Sequence, residues 1–134
     1  MKPKVIEDWH KVVVSRDVKA LSDLLAEDAV FQSPVVHTPQ AGKAITTQYL
    51  AAALVVLNND SFHYLNEWHG PHSAVLEFAT TIDGVEINGA DFIFWNDNDQ
   101  ITRFKVMVRP LKAINLLHQL MAARLAGGKP AKAG

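Results

Sequence analysis

The chain has 134 residues, about half of them hydrophobic, enough for one domain that buries roughly 68% of the surface its unfolded form exposes. Its 13 Lys and Arg are balanced by 14 Asp and Glu and are scattered, which excludes binding driven by phosphate charge and predicts neither a nucleic-acid partner nor an anionic membrane surface. The lack of cysteine removes disulfides, thiolate metal sites and a cysteine nucleophile together, and no apolar run approaches the ~20 residues that span a bilayer, so a cytoplasmic protein is expected.

Val5, Ile6, Trp9, Val12 and Val13 recur at helical spacing and predict a first helix over 5–14 that stops near Ser15-Arg16-Asp17. Asp17 is placed to cap a short second helix with Val18, Leu21, Leu24 and Leu25 on its apolar side, closed by Glu27-Asp28 ahead of the strand-like Ala29-Val30-Phe31. Pro34 and Pro39 forbid regular structure around them. Gly42 precedes a third helix over 43–57, with Ile45, Tyr49, Ala52, Ala53 and Val56 at helical intervals, which should lie across a sheet. That sheet is predicted from the run 61–69, the two arms of a hairpin about Asp83-Gly84, and the run 101–108, with turns at Gly70-Pro71 and from Asn96 to Asp99. Beyond Pro110 a last helix carries Leu111, Ile114, Leu117, Leu120 and Met121. Residues 1–126 are read as the domain and 127–134 as a disordered tail. Helices followed by an antiparallel meander give an α+β domain, with helices on one face of a curved sheet that they cannot fill completely; the gap is a natural pocket.

The hairpin fixes a register. Asp83-Gly84 favours the positive φ of a two-residue turn, so Ile82 faces Val85. Alternation then collects Ala74, Leu76, Phe78, Thr80 and Ile82 on one face with Val85, Ile87, Gly89, Asp91, Ile93 and Trp95. In the last run Phe104, Val106 and Val108 join that face, while Arg103, Lys105 and Arg109 point away. Asp91 is the one charge on the core side of these three strands; a one-residue slip would expose it but bury Glu77 and Glu86.

The stretch Asp17 to Phe31, Gly42 at the start of the third helix, and Gly89-Ala90-Asp91-Phe92-Ile93-Phe94-Trp95 together resemble the nuclear transport factor 2-like superfamily, in its polyketide-cyclase and ketosteroid-isomerase-like branch, over roughly residues 5 to 109. The resemblance implies a cone-shaped, mixed but mainly antiparallel sheet with N-terminal helices on its concave face, plus a C-terminal helix that covers the pocket mouth or lengthens an oligomer contact. It matches Asp91 to a protonated acid that donates a hydrogen bond to a developing oxyanion. Trp9 stands where that family has its oxyanion-hole tyrosine and Ser33 where it has the proton-shuttling carboxylate. A serine without an activating partner is no base near pH 7, so steroid isomerisation by that mechanism is disfavoured. Tyr49, Phe104, Val106 and Val108 match pocket-lining positions, which suits a small apolar or aromatic ligand.

Desolvation raises a buried carboxyl by up to about 3 to 5 pKa units, so an unpaired Asp91 would be neutral at pH 7 and able to donate a proton or hydrogen bond. A base would come from His37 on the Pro34 to Pro39 loop, or from His63 or Glu67. The facing of that last strand stays open: a tight Gly70-Pro71 turn turns His63, Leu65 and Glu67 inward, and a longer one turns Phe62, Tyr64 and Trp68 inward. Trp9 and Trp95 offer stacking or plain packing. His69 and His72 flank a turn with no third ligand at metal spacing, so neither metal nor cofactor is expected. Arg103, Lys105 and Arg109 among Phe92, Phe94 and Met107 form a mixed outer face where the resembling fold makes a homodimer. Three readings remain: a cofactor-independent isomerase, cyclase or dehydratase-like enzyme with Asp91 as acid and His37 or Glu67 as base, a noncatalytic dimeric module holding a hydrophobic ligand or peptide, or a dimer whose cavity is simply filled by Trp9, Tyr49 and Trp95.

Overall fold

The structure, a computed structural model, describes residues 2–128. Helix α1 (Lys4–Ser15) buries Val5, Ile6, Trp9, Val12 and Val13 along one stripe and ends at Arg16, whose φ of 57° turns the chain. Asp17 then caps α2 (Val18–Leu24), its carboxylate accepting from the Lys19 and Ala20 amides at 3.0 and 3.2 Å. Strand β1 (Leu25–Gln32) starts earlier than expected: Leu25 already pairs with Ile101, and Glu27 and Asp28 lie exposed within the strand, where the register shifts, instead of closing the helix.

After the short β2 (Gln40–Ala41) come α3 (Lys43–Leu57), β3 (His63–His69), β4 (Ser73–Ile82), β5 (Val85–Trp95), β6 (Ile101–Arg109) and α4 (Leu111–Gly128). The tail expected over 127–134 falls, from residue 129, outside the described residues. The strands form one open, mixed sheet in the order β2-β1-β6-β5-β4-β3, in which only β1 and β6 run parallel. Asp83 and Gly84 both take positive φ, 50° and 77°, and Ile82 pairs with Val85 as the turn requires. From there the register runs unbroken, seating Asp91 between Leu76 of β4 and Val106 of β6.

Besides the shift in β1, two more irregularities bend the sheet among the described residues. One lies between Phe94 and Trp95, and the other makes Leu65 an extra residue between Tyr64 and Asn66. The second settles the open facing of β3: Glu67 pairs with Leu76 and Tyr64 with Phe78, both inward-facing partners, so the two alternatives read from alternation are each half right. Leu65 and Trp68 are left exposed.

Helix α3 is apolar nearly all round because β1 and α4 cover different sides of it; Thr46, Leu50, Ala52 and Leu57 are its buried residues. Thr46 is fully buried and donates to the Ala29 carbonyl at 3.1 Å, which ties the helix to β1. In α4 the buried stripe is Ala113, Leu117 and Met121 at i, i+4, i+8, while Leu111, expected inside, is 70% exposed. On the outer face Lys105 and Arg103 lie over the Phe92 and Phe94 rings at 5.1 and 5.2 Å, with Met107 exposed beside them. No helix among the described residues is long and apolar enough to cross a membrane.

Gly89 marks where the curved sheet is tightest. A Cβ there would stand 2.3 Å from Phe78 Cζ and 2.9 Å from the Met107 carbonyl oxygen, below any normal contact. Gly89→Ala is therefore expected to destabilise the fold by roughly 1–3 kcal/mol through overpacking, read as a lowered urea midpoint. An unchanged midpoint would show that the Phe78 ring has room to step aside.

Candidate functional site

Between the concave face and the helices lies a cavity with a free volume of about 50 Å³. Its wall is built by Leu50, Leu54 and Leu57 of α3, Leu117 and Met121 of α4, and the rings of Trp9, Phe31, Phe62, Phe78 and Phe104. Trp9 packs on Phe104 with centroids 4.8 Å apart, and Phe62 stacks on Phe78 at 5.3 Å. The half-exposed Ser33, Pro34 and Val35, from the loop after β1, and Asn58, at the end of α3, lead to solvent.

Asp91 reaches this apolar space from the middle of β5 and is 6% exposed. Its Oδ2 accepts from the Tyr64 hydroxyl at 3.2 Å, and that hydroxyl accepts in turn from the Trp9 indole N–H at 3.0 Å. The hydrogen bonds thus run one way, from Trp9 through Tyr64 to Asp91, and each link polarises the next. Burial pushes the carboxyl up from 3.8 to about 7, against the lowering effect of the Tyr64 hydrogen bond. Burial and the neighbouring Asp91 charge hold Tyr64 well above a phenol's ordinary value, so it stays a donor. Among the described residues Asp91 Oδ1 has no hydrogen-bond partner, which leaves one carboxyl oxygen for a guest.

Trp9, Ser33, Phe104 and Val106, named from sequence, line the cavity with Asp91. The others do not. His37 is exposed on its loop, although its neighbours Ser33 to Val35 reach the wall. Tyr49 packs beside Phe31 at 5.6 Å, Ile93 is fully buried core, and Val108 is half-buried away from the wall. Ser33 Oγ is occupied locally, accepting from the Val35 amide at 3.0 Å.

Glu67 faces inward but serves a different cluster. His10 Nε2 donates to its Oε2, His69 Nε2 to its Oε1 at 2.8 Å, and Lys2 stands 3.8 Å away. Burial works to raise Glu67, yet the hydrogen bonds from His69 and His10 and the charges of His10 and Lys2 outweigh it and hold the carboxyl below its ordinary value. This cluster pins α1 to β3 one residue along from the Trp9–Tyr64 contact. No group of three or more His, Asp or Glu among the described residues is arranged to hold a metal ion. Tyr64 is the cavity-lining residue that alternation alone left open, because its facing depends on the Leu65 bulge.

No protein-family model matches the chain, and neither does any curated protein. Solved structures do. A steroid delta-isomerase from Pseudomonas aeruginosa is 36% identical with a TM-score of 0.86, the match covering 92% of this chain and 90% of that one. An uncharacterized bacterial protein with a cystatin-like fold from Silicibacter pomeroyi is 27% identical, TM-score 0.83, over 90% of this chain and 84% of that one. A nuclear transport factor 2-like protein of unknown function from Mesorhizobium loti shares the fold at 18% identity, TM-score 0.69, over 80% and 89%. An open α+β cone around one apolar cavity defines the class, and the chain belongs to the nuclear transport factor 2-like superfamily.

Asp91 leaves a thermodynamic signature. Between the unfolded value near 3.8 and the folded value of about 7 the native state binds the extra proton, so rising pH in this window favours unfolding. At about 1.4 kcal/mol per unit the loss reaches roughly 4 kcal/mol by neutrality and then levels off. Urea unfolding of wild type and Asp91→Asn at several pH values should therefore show the variant gaining on wild type as pH rises from about 4 to about 7. Parallel profiles would mean that Asp91 is not buried as a titrating acid.

Proposed function

We propose that the protein binds a small hydrophobic molecule carrying one carbonyl or phenolic oxygen and acts on it as a cofactor-independent, acid-assisted enzyme of the isomerase, cyclase or dehydratase type, with Asp91 as the acid. One observation carries this reading: Asp91, whose carboxyl has a pKa of about 7, lines an apolar cavity at the receiving end of a chain of donors. In its protonated form Asp91 donates to the guest oxygen and draws charge towards it. Tyr64, itself engaged by Trp9, supports the charge that develops on the carboxyl. The apolar wall excludes water, which strengthens each of these interactions.

Asp91 is the only carboxyl lining the cavity among the described residues. That observation favours a second reading, a noncatalytic ligand-binding module with Asp91 as its polar anchor. Neither His37 nor Glu67 stands at the wall, so a proton removed from carbon would have to pass to ionised Asp91 itself or to solvent at the Ser33 end.

The test is ligand titration with cyclohexenone as a function of pH. Affinity of wild type should be level below pH 7 and fall by up to about tenfold per unit above it, as the donor is lost, while Asp91→Asn, whose amide donates at every pH, should show no such step. Identical profiles would remove Asp91 from the contact. Conversion of the β,γ-unsaturated ketone to its α,β isomer, slowed about 10²- to 10⁴-fold in Asp91→Asn, separates the enzyme from the binder.

A further inference from the structure

The cavity is small. Its free volume of about 50 Å³ compares with roughly 300–1,000 Å³ for pockets that enclose drug-sized ligands and with ~150 Å³ for an apolar cavity that holds benzene. What closes it is α4: Leu117 and Met121, 3% and 9% exposed, fill its side of the space. Ala113, fully buried one turn before Leu117, lets the helix sit close. On the other side Leu50 and Leu54 belong to α3, which is fixed to β1 by the buried Thr46 hydroxyl, so that wall does not readily withdraw.

We infer that α4 sets an upper limit on guest size through Leu117 and Met121, and that the site takes a single-ring compound with its oxygen on Asp91 rather than one of steroid size. The inference rests on reading this cavity as a ligand site. A single ring needs only a rotamer change of the flexible Met121 thioether or a position partly in the Ser33 and Val35 mouth. Four fused rings would require α4 to leave the sheet and expose the Ala113, Leu117 and Met121 stripe, which is unfavourable. This distinguishes the chain from what the name of its Pseudomonas aeruginosa neighbour says of that protein.

The experiment titrates wild-type protein with p-cresol and with estradiol, two phenols that present the same kind of oxygen on one ring and on four. Estradiol has far more apolar surface to bury and would win in an unrestricted pocket. The single-ring phenol is expected to bind at least about tenfold more tightly, and Leu117→Ala combined with Met121→Ala to cut that preference by about tenfold. Estradiol binding wild type as tightly as p-cresol overturns the size limit and leaves the ligand-site reading in place. Binding of neither phenol overturns both. The comparison on wild type decides by itself, so loss of folding in the doubly truncated variant does not rescue the inference.

Discussion

A single unpaired carboxyl in an apolar cone is the constraint around which the rest is arranged. With no cation beside it among the described residues, Asp91 is tolerated because Tyr64 donates to one oxygen and because the group takes up a proton near neutrality instead of remaining a buried charge. That arrangement needs three elements in register: α1 to bring Trp9, β3 to bring Tyr64, and β5 to bring Asp91. The hairpin turn sets β5, the Leu65 bulge sets β3, and the Glu67 contact with His10 holds α1 on β3.

The two inward-facing carboxyls show how environment divides their roles. Asp91 has one hydroxyl for company and is raised; Glu67, in the same cross-strand row on the far side of Leu76, has two imidazoles and a lysine and is lowered. The stability that Glu67 contributes is present above its unfolded value and lost as the pH falls through its folded value, whereas Asp91 withdraws stability as the pH rises towards 7. Together these two contributions are most favourable in mildly acid solution. The fold shared with the neighbouring structures supplies the cone, while the chemistry depends on which groups face the cavity.

Much of this is legible in the sequence because the strongest local signals also govern the global arrangement. Asp83-Gly84 fixes Ile82 against Val85, and from that pairing the inward face of β4 and β5, Asp91 included, follows by alternation. Asp17 as a cap and Val5, Ile6, Trp9, Val12 and Val13 as a helical stripe are of the same kind. What escapes is whatever breaks a period. Nothing in His63 to His69 marks Leu65 as the extra residue, so Tyr64 and Glu67 could not both be placed inward by alternation. Strand β1 begins at Leu25 because β6 offers Ile101 as a partner, a long-range fact that the adjacent acids hide. His37 looks like a base by chemistry, but it lies exposed two residues past the wall that Ser33, Pro34 and Val35 form.

Whether Asp91 is a buried acid that titrates near neutrality is read from the pH titration of its side-chain carboxyl carbon by nuclear magnetic resonance in the intact protein. An inflection at about 7 is the predicted result. An inflection near the ordinary 3.8 would mean a solvated or ion-paired carboxylate, and the account of the site would not stand.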